Sequence, residues 1–381
     1  MSLVAKVEAD RPAERLRIVH MIPNTFSGGA QQQLSYLARE QRRNGHDVGI
    51  VFLGDGPKRA RMEASGAWLH QIAGLGNHDP RIALRLHALL RNRRPDVVQT
   101  WLLQMDVMGG LAARWADRAW ILSERASGPA YPSGLKVALR ARVARHADAI
   151  VSNSDAGDRY WASAVGPRVL RKVVRNGIPE DDIAAAPRVA ETVVGLPPGH
   201  KMVLHAGRFD PQKNLETLVP ALAALAERIP ATSFLCGDGV TEAETRRQIA
   251  ERGLDRVVRA VGYVDEVWGW MKRADAFVSV SHFEGHPNAV LEAAACGCPL
   301  VLSDIPEHRE ILNESQAVFV SKDSPAAVTD AIENVLRHPE GARTRAEAAR
   351  AQVASLSCGT MARRYDEIYR EVIARRAHGG N

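Results

Sequence analysis

The sequence predicts an α/β protein built from two doubly wound parallel-sheet domains in tandem, with a cleft beyond the carboxyl ends of their strands. Two observations carry this. Short apolar runs alternate with amphipathic helical stretches, the signature of parallel strands covered on both faces. The rhythm then breaks between residues 176 and 199, in turn residues and the acidic run Glu180-Asp181-Asp182, and restarts. A chain of 381 residues, 45% hydrophobic and 25% charged, is long and apolar enough for two cores.

In the first half, residues 17–22 (RIVHMI) read as a buried strand ending in Pro23-Asn24-Thr25-Phe26-Ser27-Gly28-Gly29, with a helix to about Arg43. Strand candidates follow at 48–53, 96–101, 119–123 and 148–152, separated by helical patterns at 81–92, 105–116 and 135–146. The second half repeats the plan with strands at 201–206, 232–236, 257–261, 276–280 and 299–302. The expected organisation is a leader at 1–14, a first domain at 15–180, a linker at 181–200, a second domain at 201–358 and a terminal helix at 359–381.

Composition narrows the function. No run approaches the ~18 apolar residues of a membrane span, and the polar N-terminus lacks the apolar stretch of a secretory signal. A cytoplasmic protein is expected. Four cysteines, Cys236, Cys296, Cys298 and Cys358, make neither a disulfide framework nor a zinc site and read as small buried residues. Aromatic residues are 5% of the chain, with no zinc-finger spacing or stacking run, which argues against nucleic acid. Residues 1–190 hold 28 Lys and Arg against 18 Asp and Glu, so the first half carries the positive charge. That balance suits an anionic membrane or a phosphorylated acceptor, and equally a set of solvated helix faces.

Two segments carry chemistry. Residues 281–299 (SHFEGHPNAVLEAAACGCP) place Glu284 and Glu292 eight apart around Gly285, His286, Pro287 and Asn288. A loop there opens a helix whose free N–H groups suit a phosphate, while flanking carboxylates suit sugar hydroxyls. After the strand ending at Ala206, Gly207-Arg208-Phe209-Asp210-Pro211-Gln212-Lys213-Asn214 sets two cations beside a strand end. Fixed cations stabilise the charge that grows on a departing diphosphate.

Together GRFDPQKN and EGHPNAVLEAAACGCPLVLSD resemble the retaining glycosyltransferases of family 4, of the GT-B type with two Rossmann-like domains. The resemblance covers nearly the whole chain, most strongly 201–312, and includes the Glu-x7-Glu motif. It implies transfer of a sugar from a nucleoside diphosphate, uridine preferred to guanosine by family frequency. The acceptor would be a hydroxyl of a lipid-linked or cell-surface glycan such as a lipopolysaccharide or polysaccharide precursor. It also implies no cofactor and no metal. By the same resemblance, Arg208 and Lys213 bind the diphosphate, Glu284 lies near the transferred sugar and Glu292 holds ribose hydroxyls. The N–H groups around Asn288, Ala289 and Val290 reach the distal phosphate. Gly237 with its neighbours, and Gly262-Tyr263-Val264, resemble loops of the nucleotide pocket. Gly28 and Gly29 resemble the family's glycine loop; on their own they also fit a tight turn. The terminal helix is expected to brace the first domain through Tyr365, Ile368, Tyr369 and Ile373.

The acceptor side departs from the pattern. Gln104 stands where relatives often carry a histidine, and Ser123-Glu124-Arg125 follows the next strand without one. Glu124 and Arg125 fit either contacts to acceptor or sugar, or a structural ion pair. His20 fits either that space or a packed position. The stretch 135–146 (LKVALRARVARH) fits a basic amphipathic helix on a membrane, or a core-facing helix with a solvated basic face. A nucleotide-sugar epimerase and a non-catalytic binding module stay open beside the transferase.

Overall fold

The computed structural model describes residues 15–26, 28–72, 76, 79–126, 134–265 and 267–378; the leader at 1–14 and Ser27 lie outside them. The first domain holds a seven-stranded sheet. Its strands are β1 (Arg17–Met21), β2 (Asp47–Phe52), β3 (Trp68–Gln71), β4 (Val97–Trp101), β5 (Ala119–Glu124), β6 (Ala149–Ser152) and β7 (Leu170–Val173), ordered β3-β2-β1-β4-β5-β6-β7. The second domain holds β8 (Lys201–Ala206), β9 (Ala231–Cys236), β10 (Val258–Gly262), β11 (Ala276–Ser279), β12 (Leu300–Ser303) and β13 (Val318–Val320), ordered β10-β9-β8-β11-β12-β13. Every strand pair is parallel. The order reverses between β1 and β4 in one sheet and between β8 and β11 in the other. Connections there leave toward opposite faces and open a crevice at the strand ends. The loops after β1, β8 and β11 are the three segments singled out by sequence.

Central strands such as VVQTW of β4 are buried along their whole length, because helices cover both faces. Four apolar clusters, one on each side of each sheet, form the cores. The strands absent from the sequence reading are β3, β7 and β13, each at a sheet edge. Edge strands are short and half-exposed, so their residues carry no strong apolar signal. The cysteines carry no disulfide; three are buried and Cys296 partly so.

The expected linker is instead packed structure. Helices Glu180–Ala185 and Glu191–Val194 bury Ile183 and Val194 in the second domain's core. The chain crosses between domains twice, and the crossings lie side by side. Ile178 donates to the Leu356 carbonyl at 2.7 Å, and Cys358 donates back to Ile178 at 3.1 Å. A Cβ on Gly177 would fall 2.8 Å from the Cys358 Cα, so the close approach requires glycine there. Beyond it, helix Cys358–His378 lays Met361, Ala362, Tyr365, Ile368, Tyr369 and Val372 into the first domain's core, with Ile373 at its border. The brace expected from sequence is present.

Helix Leu135–Ala144 reverses one expectation. Arg140, counted among the basic surface residues, is buried at 1% exposure. It pairs with Glu124 at 2.9 Å and Asp106 at 2.8 Å, and stacks on Trp161 at 4.9 Å. Leu135 is 90% exposed and Leu139 also faces solvent. Two carboxylates at the core side draw the arginine inward, since a buried charge needs opposite partners.

Candidate active site between the domains

The loops after β1, β4, β8 and β11 converge on a cleft of about 680 Å³ between the two sheets. Its wall in the second domain begins at helix Asn288–Ala295, whose first turn carries no acidic residue. The N–H groups of Val290 and Leu291 both return to the Pro287 carbonyl at 3.1 Å. The amides left to meet an anion are therefore those of Asn288 and Ala289. Val290 itself is packed in the core, and neither it nor Pro287 lines the cleft.

Asp210 caps the tight turn Pro211–Lys213 by accepting from the Gln212 N–H at 2.9 Å, and Asn214 closes it at φ 56°. This turn carries Lys213 back across the end of β8, where its Nζ meets the Glu284 Oε1 at 2.6 Å. Gln212 donates to the other Glu284 oxygen at 3.2 Å. Burial alone would raise the Glu284 carboxyl, but the Lys213 ammonium, with His308 and the Ser281 hydroxyl, holds the group below the ordinary range. Arg208 lines the same wall with an exposed guanidinium, 3.6 Å from Asp210. Gly207 and Gly237 form the floor. Gly237 has φ 156°, and a Cβ there would fall 1.8 Å from the Gly207 carbonyl oxygen.

Glu292 is buried further along the helix. Burial pushes its carboxyl up to about 7, against the pull of Trp268, Arg61, Lys58 and Gln32. Gln32 of the first domain donates to it at 2.8 Å. Beside it, Tyr263 and Val264 line the cleft, and the Tyr263 hydroxyl donates to Asp265 at 2.9 Å. Gly28, Gly29, Gly285, His286, Asn288 and Ala289 complete the sequence-marked lining. A Cβ on Gly29 would lie 2.8 Å from the Asn288 amide nitrogen, and one on Gly285 would lie 2.6 Å from the Arg125 carbonyl. These glycines let the two walls touch.

Three acceptor-side candidates stand elsewhere. His20 is fully buried, joined to Gln41 at 2.8 Å and accepting from the Trp101 indole at 3.2 Å, and burial lowers its pKa to about 4. It is a packed residue. Glu124 is also fully buried and anchors structure, accepting from the Arg125 and Ala126 N–H groups, the Trp161 indole and Arg140. Gln104 lies a turn into helix Leu102–Trp115 and does not line the cleft; Leu102, at φ 68°, does. Arg125 does line it, stacked on Trp101 at 4.9 Å and bonded to Asn176.

Sequence reasoning missed Lys58, Gln32, Asn153 and Asn176, all in the cleft wall. Lys58 crosses to Asp265 at 3.1 Å and sits 5.2 Å from the Tyr263 ring centre. Burial, then the nearby Arg61, lowers its pKa. Its one sequence signal was the turn Gly54-Asp55-Gly56-Pro57-Lys58 directly after β2, a cation at a strand end. Among the described residues there is no cluster of three or more His, Cys, Asp or Glu that could hold a metal ion. The cations and the helix start suit a diphosphate, and the carboxylates beside them suit hydroxyl donors.

The family model described as glycosyl transferases group 1 matches residues 190–352, and the glycosyl transferase 4-like domain matches 28–177. The chain is 30% identical over 298 residues to a glycogen synthase of Mycobacterium tuberculosis (strain ATCC 25618 / H37Rv), covering 74% of this chain and 70% of that protein. It is 30% identical over 235 residues to GDP-mannose:cellobiosyl-diphosphopolyprenol alpha-mannosyltransferase of Xanthomonas oryzae pv. oryzae (strain PXO99A), covering 60% and 59%. Among solved structures, Anabaena HepE in complex with UDP-glucose superposes with a TM-score of 0.83 at 19% identity, covering 94% of this chain and 100% of that one. That likeness is one of fold.

Proposed function

The chain belongs to the group 1 glycosyl transferases of GT-B fold, and from that premise we propose that it transfers a hexosyl group from UDP to an acceptor hydroxyl with retention of configuration. The observation that carries this is the convergence of Arg208, Lys213 and the amides of Asn288 and Ala289 on one wall, with Glu284 and Glu292 beside them. In the proposed reaction the bond from the anomeric carbon to the diphosphate breaks as the acceptor oxygen bonds on the same face. The acceptor proton passes to the departing phosphate oxygen, and the cations and helix start hold the charge that develops. Glu284 faces the transferred sugar and Glu292 takes the ribose hydroxyls. This chemistry asks no metal of the protein.

The proposed acceptor is a lipid-linked glycan, a choice supported by the relative named for a cellobiosyl-diphosphopolyprenol substrate. No described helix is long and apolar enough to cross a membrane. Leu135 and Leu139, exposed beside the exposed Lys136 and Arg142, support peripheral contact with an anionic leaflet.

Incubation with UDP-sugars and GDP-sugars without acceptor tests the reading. Slow release of nucleoside diphosphate is expected, undiminished by EDTA, and at least 100-fold slower in Lys213→Ala. Appearance of the epimeric sugar nucleotide would favour an epimerase. Tight donor binding with no release, with or without acceptors, would favour a binding module.

A further inference from the structure

Two buried polar atoms at one seam of the cleft have no hydrogen-bond partner among the described residues. One is the Oδ1 of Asn153, which follows β6 in the first domain and is 2% exposed. The other is the Nε2 of His286, 6% exposed, in the second domain. Both residues line the cleft. A buried polar group left unpaired is destabilising, so two at one seam require an explanation.

The chemistry of the pair is defined. The Asn176 N–H donates to the His286 Nδ1 at 3.3 Å, and the Asn176 amide donates to the His286 carbonyl at 3.1 Å. An imidazole that accepts at Nδ1 carries its hydrogen on Nε2 when neutral. Burial, then the charges of Arg175 and Arg125, lower its pKa to about 3, so it stays neutral. His286 therefore offers a donor and Asn153 an acceptor. A phosphate would meet the Asn153 oxygen as a repulsive neighbour, and Arg175 is already engaged by Asp155 and Glu310. Sugar hydroxyls both donate and accept, so a sugar ring in the cleft offers each group the partner it lacks. The seam adjoins Glu284 through Gly285, which rests on the backbone of Arg125 and Ala126.

We infer that Asn153 and His286, one from each domain, form a subsite for a neutral sugar ring of the acceptor, held by its hydroxyl groups. The inference rests on the transferase reading and extends it to the class of group that docks beside the donor. Because the two contributors come from separate domains, the subsite is complete only while the domains meet at Gly285.

The probes are p-nitrophenyl glycosides of glucose, mannose, galactose and N-acetylglucosamine in both anomers, added to a donor that the wild type hydrolyses. At least one glycoside should accelerate nucleotide release. Asn153→Ala and His286→Leu should each raise its KM at least tenfold, with a smaller change in kcat. His286→Gln, which restores an N–H near Nε2, should recover to within threefold. Asn153→Ala should keep the rise in Tm given by UDP. The variants lie in different domains, so a folding defect in one leaves the other informative. An unchanged glycoside KM in both variants overturns the subsite. So does the absence of acceleration by every glycoside while the donor is still hydrolysed. Absence of donor hydrolysis in the wild type strikes instead at the transferase reading.

Discussion

At the scale of single residues, the site is a set of charges that satisfy one another. Lys213 and Glu284 are nearly buried and 2.6 Å apart. Removing one partner strands the other, so Lys213→Ala should lower unfolding stability by about 3 kcal/mol. The double variant Lys213→Ala, Glu284→Gln should regain most of that in chemical denaturation while remaining inactive. Glu292 behaves differently. Its carboxyl is raised from 4.5 to about 7, so the folded state holds the proton more tightly than the unfolded chain. Its stabilising contribution is full below about pH 4.5 and is lost as the pH rises through 7. Glu292→Gln should therefore be more stable to chemical denaturation than wild type between pH 5 and 8, by up to about 3 kcal/mol at the alkaline end. The same change removes the proposed ribose acceptor and should weaken UDP binding about 10- to 100-fold in calorimetry.

Among elements, the strand-end turns decide where these charges stand. The Asp210 cap and the left-handed Asn214 fold Lys213 back over β8. Gly237 does the same service for the floor, at a backbone angle that side chains avoid and with no room for a Cβ. Gly237→Ala should destabilise the protein by more than about 1 kcal/mol and abolish the Tm rise on adding UDP. A variant with normal stability and normal UDP response would show that the floor is not packed as described. Helix Leu135–Ala144 follows the same logic in reverse: its buried partners, Glu124 and Asp106, choose which face of the helix turns inward.

For the whole molecule, a set of polar contacts links the walls of the cleft across the two domains. Gln32 reaches Glu292, Gln33 and Asn176 reach Asn288, Lys58 reaches Asp265, and Arg175 reaches Glu310. Interfaces of this kind permit relative domain motion. Lys58→Met with Glu310→Gln should enlarge the radius of gyration in X-ray scattering, with UDP-sugar reversing part of the change. An unaltered scattering curve would mean that these pairs do not hold the domains together.

By itself, the sequence determined the two-sheet plan, the central strands and the second domain's wall of the cleft. These depend on local pattern: apolar runs buried on both faces, and GRFDPQKN and EGHPNAVLE each written within one loop and the turn after it. The edge strands β3, β7 and β13 were not legible, because their short, half-exposed backbone leaves no apolar period, whereas the edge strand β10 was read. Tertiary structure alone decided that His20 and Glu124 are buried anchors, that Arg140 points inward, and that the 181–200 stretch packs onto a core. It alone brought Lys58 to Asp265, Gln32 to Glu292 and Asn153 to the seam with His286. Those pairings join residues more than a hundred positions apart across two domains. A strand or a phosphate-binding turn is specified by its neighbours in the chain, whereas a contact across a cleft is specified only by how the finished domains dock.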